Sequence, residues 1–174
     1  MKAGLVTFYH IHHYGALLQA AATERAVESL GGECEIIDYY VNQNNALFRR
    51  PTGVGSAAAD AHTALHYSAL KRRYDRFEQF SADHLHISAQ HYENRWALAG
   101  ASLPYDVLLS GSDQIWNPYI FQDKQFDPAF LLAFVREGRR IAYAPSLGVS
   151  ELPEDKLAQL RRCLAPYSAL SVRE

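Results

Sequence analysis

The sequence has no excess of positive charge. Lys and Arg number 17 against 19 Asp and Glu, leaving a net charge of -2, whereas a nucleic-acid footprint needs a clear basic excess. It also has no segment long and apolar enough to cross a membrane. The amino terminus lacks a signal-peptide layout, because Lys2 leads into a short strand-like run and then into histidines. Cysteine is scarce: Cys34 and Cys163 stand far apart and read as reduced, partly buried thiols of a cytoplasmic protein. The glycine motifs of nucleotide sites are missing too. Only Gly15 follows the first strand-like run, where a dinucleotide fingerprint needs three glycines. Gly53-Val54-Gly55 follows no strand and has no Lys-Ser or Lys-Thr behind it, so it is not a P-loop. Ser110-Gly111-Ser112 lacks the Gly-x-Ser-x-Gly pattern of a nucleophile elbow. There is no internal repeat and no low-complexity tract.

What is present is an alternation of strand-like and helix-like segments. A chain of 174 residues that is 48% hydrophobic can bury one full core, so residues 1–174 are read as a single domain. Ala3 to Tyr9 is a first strand, Gly15 to Leu30 a helix with Leu18, Ala22, Ala26 and Leu30 stepping by four along one face, and Cys34 to Tyr39 a second strand. Gly31-Gly32 ends the helix. This is a βαβ unit, which makes its strands parallel and its crossover right-handed. Residues 41–63, rich in Asn, Arg, Pro and Gly, read as a long loop. A helix follows from Ala64 to Asp83, then a short strand at Leu85 to Ile87 and a helical turn at Glu93 to Leu98. Strands are expected at Asp106 to Ser110, Arg139 to Ala144 and Ala169 to Val172, with a short helix at Phe126 to Phe134. A last helix, Glu151 to Ala165, would turn Leu152, Leu157, Leu160 and Leu164 inward. The expected fold is therefore α/β, a Rossmann-like, mostly parallel sheet with helices on both faces.

Ligands of such sheets bind beyond the carboxyl ends of the strands. One stretch at such an end concentrates chemistry. The apolar run Val107-Leu108-Leu109 leads into Ser110-Gly111-Ser112-Asp113-Gln114-Ile115-Trp116-Asn117-Pro118. Taken singly, Asp113 can cap a turn and Trp116 can cover the core, but packing alone does not require Asp, Gln, Trp and Asn together. His10, His12 and His13 crowd the end of the first strand. No Cys or acid stands beside them at a ligand spacing, and adjacent His12 and His13 point to different sides of an extended chain. No metal site is assigned, and neither folding nor ligand binding is expected to need an ion. Asp38 sits at the end of the second strand, where related sheets bind ribose, but a turn-capping Asp explains it equally well.

Gly-Ser-Asp-Gln-x-Trp-Asn-Pro resembles the signature of one branch of the polysaccharide pyruvyl transferase family. Three further stretches agree, in the family's order: Tyr14-Gly15-Ala16-Leu17-Leu18-Gln19-Ala20, Arg140-Ile141-Ala142-Tyr143-Ala144-Pro145-Ser146-Leu147-Gly148, and Ser171-Val172-Arg173-Glu174. The family usually has Asn where this chain has His13, so no specific amide contact carries over to that position.

The resemblance implies one half of a two-domain fold of the glycosyltransferase-B type. The chain matches the amino-terminal half, and a carboxy-terminal half is expected as its partner. It also implies transfer of a pyruvyl group from phosphoenolpyruvate, a co-substrate rather than a cofactor, onto a sugar or glycan acceptor as a ketal. The general acid is expected to be a histidine of the second half, so the 174-residue chain alone is expected to be inactive and able to self-associate through an exposed docking face. Arg173 is expected to hold the anionic donor, because its planar fork of donors fits carboxylate or phosphate. His13, Tyr14, Gly15, Gly111, Ser112, Asp113, Gln114, Trp116, Asn117 and Ser146 are expected to line the cleft or the acceptor surface, with Trp116 as a platform for a sugar face. Two other classes stay open at this point: a nucleotide- or nucleotide-sugar-binding enzyme of the same fold, and a non-catalytic binding domain.

Overall fold

The apolar runs form a six-stranded sheet. The computed structural model describes residues 1–39 and 57–173, with the backbone alone at 57–60, 62 and 63. In chain order the elements are β1 (Lys2–Val6), α1 (Tyr14–Ser29), β2 (Glu33–Tyr39), α2 (Ala57–His84), β3 (Ile87–Tyr92), α3 (Arg95–Ala99), β4 (Val107–Asp113), a 3-10 turn (Pro118–Ile120), β5 (Arg139–Pro145), α4 (Glu154–Leu164) and β6 (Ala169–Ser171). The spatial order is β3-β2-β1-β4-β5-β6, and every pairing is parallel. The chain winds outward from β1 to β3, returns to the middle, and winds the other way from β4 to β6. The direction reverses between β1 and β4, and the crevice at such a switch point is where doubly wound sheets bind ligands.

Alternation along each strand divides the core between two faces. Ala3, Leu5, Ile36, Val107 and Leu109 pack with Leu17, Ala20 and Ala21 of α1 and Phe77 of α2. Val6, Ile37, Leu108 and Ala142 pack with Leu98 of α3, Leu160 of α4 and the cluster Trp116, Phe130, Leu131 and Leu132. Fully burying one such aliphatic or aromatic side chain stabilises the fold by about 1.5–3 kcal/mol. No helix among the described residues is long and apolar enough to cross a membrane.

The structure settles which face of α1 is buried and corrects three local expectations. The inward face of α1 is Ala16, Leu17, Ala20 and Ala21, while Leu18 and Leu30 are exposed. Alanines let the helix lie close to the sheet, and a row of leucines four apart does not reveal which ridge is buried. Phe126 to Phe134 forms successive turns rather than a helix, with Leu132 at φ 48° breaking helical geometry. The strand expected at Leu85–Ile87 runs instead from Ile87 to Tyr92 and pairs with β2. Helix α2 begins at Ala57, within the segment expected to be loop; the remainder of that loop, through residue 56, lies outside the described residues. Cys34 and Cys163 are both free, and burial pushes the Cys34 thiol up to about 12.

Candidate functional site

Four loops meet at the carboxyl edge, and hydrogen bonds to backbone carbonyls join them in series. After β1, Thr7 Oγ1 donates to the Ser112 carbonyl at 3.2 Å. At the end of β4, Ser112 Oγ donates to the Ala144 carbonyl at 3.3 Å, and Ser146 N donates to the Asp113 carbonyl at 2.9 Å. Beyond β6, Arg173 N donates to the Pro145 carbonyl at 3.2 Å. The backbone here is under constraint. Asp113 has φ 86° and Ala144 φ 54°, left-handed values that L-residues rarely adopt and that collect at functional sites. Gly111 is needed for close approach, because a Cβ there would stand 2.1 Å from the Tyr143 carbonyl oxygen.

The polar side chains after β4 mostly fasten this turn. Asp113 Oδ1 accepts from Gln114 N at 2.7 Å. Asn117 Oδ1 caps the 3-10 turn by accepting from Tyr119 N at 3.0 Å, and its Nδ2 donates to Gln114 Oε1 at 3.2 Å. Gly148, at φ 63°, lies against both side chains: a Cβ would meet Gln114 Oε1 at 2.6 Å and Asn117 Nδ2 at 2.7 Å. Ser146 Oγ accepts from Gly148 N at 3.1 Å. The Trp116 indole N–H donates to Ser110 Oγ at 3.1 Å and to the Phe130 carbonyl at 3.0 Å.

A second group of polar residues sits at the ends of β1, β2 and β3. One Asp38 oxygen accepts from the Tyr9 hydroxyl, from His10 Nε2 at 2.9 Å and from His91 Nδ1 at 3.1 Å. Burial raises the Asp38 carboxyl, but these hydrogen bonds outweigh it and hold the group below the ordinary aspartate value. Burial together with the Asp38 carboxylate pushes the Tyr9 hydroxyl far up, so it stays a neutral donor. Tyr39, at the end of β2, donates to Asp127 Oδ2 at 2.7 Å. Burial raises the Asp127 carboxyl despite that bond.

A profile of the polysaccharide pyruvyl transferase family matches residues 13–174. The chain belongs to the polysaccharide pyruvyl transferase family. No curated protein and no solved structure matches it significantly.

The stretches that resemble polysaccharide pyruvyl transferases fall on the carboxyl edge of the sheet, but their residues divide into two groups. His13, Tyr14, Gly15 and Arg173 are exposed, and Ser112, Asp113 and Gln114 are partly exposed. Gly111, Trp116, Asn117 and Ser146 are buried. This corrects the expectation of a sugar platform at Trp116: the ring is 2% exposed and its N–H is bonded internally, so neither face is open for stacking. Asn117 and Ser146 are likewise held inside by their hydrogen bonds within the turn. His13 caps α1, its Nδ1 accepting from Ala16 N at 3.3 Å, and Tyr14 lies beside Phe77 with ring centroids 4.8 Å apart. The three neighbouring histidines diverge. His10 goes to Asp38, while His12 is buried, bonded to Glu78 at 2.7 Å and stacked on Phe77.

Sequence reasoning did not single out Thr7, Gln19 or the Tyr9, His10, Asp38 and His91 group as one unit. Gln19 braces the first loop, donating to Thr7 Oγ1 at 2.8 Å. Its placement inside the first family-like stretch was the available signal. No local signal joined Asp38 to His91, since the pairing of β2 with β3 brings them together.

Proposed function

We propose that this chain is the amino-terminal half of an enzyme that transfers a pyruvyl group from phosphoenolpyruvate to a sugar of a polysaccharide or glycan precursor. Support comes chiefly from one observation. The four stretches resembling the family converge at the carboxyl edge: Gln19 of the first braces Thr7, and the loops after β1, β4, β5 and β6 are linked in series. Separate structural roles for four distant stretches would not require them to meet there.

In this reading, protonation of the methylene carbon of phosphoenolpyruvate makes its C2 electrophilic. One sugar hydroxyl adds at C2. A second then displaces phosphate, closing the ketal, and both hydroxyl protons pass to bases. The donor carries a carboxylate and a phosphate, so its site needs cations or N–H donors. Arg173, exposed just beyond β6, is assigned that role. Ser112, Asp113 and Gln114, the partly exposed members of the β4 turn, are assigned to the acceptor side. The general acid is assigned to a second, carboxy-terminal half closing over this edge. Asp38 is less suited to ribose, because one of its oxygens already accepts from three side chains.

The test is phosphate release by the full-length enzyme from phosphoenolpyruvate, with and without a glycan acceptor, followed by mass analysis of the product. Acceptor-dependent release and a product heavier by one pyruvyl ketal support the reading. Tight binding of a nucleotide sugar without phosphoenolpyruvate turnover would overturn it.

A further inference from the structure

The opposite, amino-terminal edge of the sheet carries a second cluster. Glu24 and Glu28 stand four residues apart on α1 and share a helix face. His86 immediately precedes β3 and lies 62 residues beyond Glu24. Glu24 Oε1 accepts from His86 N at 2.9 Å and from His86 Nδ1 at 2.5 Å, and Glu28 Oε1 is 3.5 Å from the same Nδ1. One ligand atom from each of the three lies within 4.8 Å of the others. All three line a cavity of about 170 Å³ that Asp83 and His84 also border.

Glu24 is an unusual residue for an interior. It is 1% exposed, and among the described residues its Oε2 is buried without a hydrogen-bond partner. A buried carboxylate oxygen left unpaired is costly, and one ordinary explanation is an ion that completes it. Burial pushes the Glu24 carboxyl up, and hydrogen bonds and charge from His86 offset this only in part. His86 is the one basic side chain paired with Glu24 among the described residues.

We propose that Glu24, Glu28 and His86 form a binding site for a divalent transition cation, with Zn²⁺ the best match. One imidazole nitrogen and two carboxylates suit zinc, with water completing the shell, whereas Ca²⁺ and Mg²⁺ favour all-oxygen shells. His86 binds as the neutral ring through Nδ1, with the ring hydrogen carried on Nε2. The ion fastens the later turns of α1 to the entry of β3, at the edge away from the proposed transfer site, so its effect is on stability. The ligand spacing that argues against a metal among His10, His12 and His13 has no bearing here, because only the fold brings His86 to α1.

The test uses the protein stripped of metal with a chelator and dialysed, then titrated with Zn²⁺ or Ca²⁺ alone by calorimetry and by thermal melting. Expected are saturable 1:1 zinc binding, a rise in melting temperature with zinc, and neither response with calcium. Glu28→Gln changes an exposed residue and keeps the side-chain length. It should weaken zinc binding at least about tenfold and remove the thermal shift; His86→Gln should do the same. No saturable zinc binding by the wild-type protein would overturn the proposal, leaving the hydrogen bonds from His86 to account for Glu24. Zinc binding unchanged in Glu28→Gln would overturn it equally, by placing the ion elsewhere.

Discussion

Replacing Trp116 with phenylalanine separates a structural indole from a sugar-binding one. The ring is 2% exposed, and its N–H is shared between Ser110 Oγ and the Phe130 carbonyl. Phenylalanine keeps an aromatic body but removes the donor and part of the ring. The Phe130 carbonyl still receives the Ser110 hydroxyl at 2.5 Å, so only Ser110 Oγ loses a donor outright, at about 1 kcal/mol. Truncating a buried Trp to Ala costs about 3–5 kcal/mol, and phenylalanine retains most of that volume, which leaves about 1–2 kcal/mol for the void. The sum is about 2–3 kcal/mol, a large share of a typical stability of about 5–15 kcal/mol. Urea denaturation of wild type and Trp116→Phe should show a lower midpoint at unchanged slope. Steady-state kinetics of the full-length variant, at a temperature where it is folded, should show an acceptor KM close to wild type. An unchanged midpoint with a sharply raised acceptor KM would refute the reasoning and return the indole to the cleft.

Other outcomes follow from the proposed function and from the structure. Arg173→Ala in the full-length enzyme should weaken phosphoenolpyruvate affinity by about 2–4 kcal/mol, and Arg173→Lys should recover only part of it, since lysine keeps the charge but not the fork; equal affinity in all three proteins at matched salt would remove Arg173 from the donor site. Asp38 is held below the ordinary aspartate value of 3.8, so its stabilising contribution is full above that pH and is lost as pH falls through the lower folded value. Thermal melts of wild type and Asp38→Asn from pH 7 downward should therefore converge below about pH 4, and a gap independent of pH would count against the charged network. Residues 1–174 alone should release no phosphate from phosphoenolpyruvate and acceptor; clear turnover would refute the need for a second half.

How much was legible depended on how local the signal was. All five strands expected near residues 3–9, 34–39, 106–110, 140–144 and 169–172 fall in one parallel sheet, because short apolar runs between helical segments leave few other ways to bury both faces. The side of a helix that turns inward was less legible. Leu18 and Leu30 made the more apolar row, yet alanines face the sheet, since burial depends on how near the partner surface is. Phe126 to Phe134 had the composition of a buried helix and is buried without being one, because Leu132 adopts a left-handed conformation that composition does not encode. Trp116 failed for a related reason. Sequence places an aromatic after a strand but cannot say whether it turns outward to a ligand or back over Phe130. The Asp38 group and the Glu24, Glu28 and His86 trio were out of reach, as each depends on residues that meet only through strand pairing or helix docking.

The octet Gly111 to Pro118 divides into partly exposed and buried residues, and the division can be traced to backbone conformation. Asp113 and Ala144 hold left-handed conformations next to one another, at the ends of the two adjacent strands β4 and β5, at a cost of about 1–3 kcal/mol each. Such a conformation persists only where its surroundings over-determine it. Ser146 N on the Asp113 carbonyl, Ser112 Oγ on the Ala144 carbonyl, and Gly148 seated against Gln114 and Asn117 supply that determination. Trp116 and Ser110 tie the turn down to the core beneath it. The conspicuous residues of the octet are thus needed together because they fix one irregular turn, even though few of them face outward. A turn fixed in this way presents Ser112, Asp113 and Gln114 in a single arrangement beside the loop that leads to Arg173. Such preorganisation suits the acceptor-side role proposed for these three residues, because binding energy is then not consumed in ordering the loop.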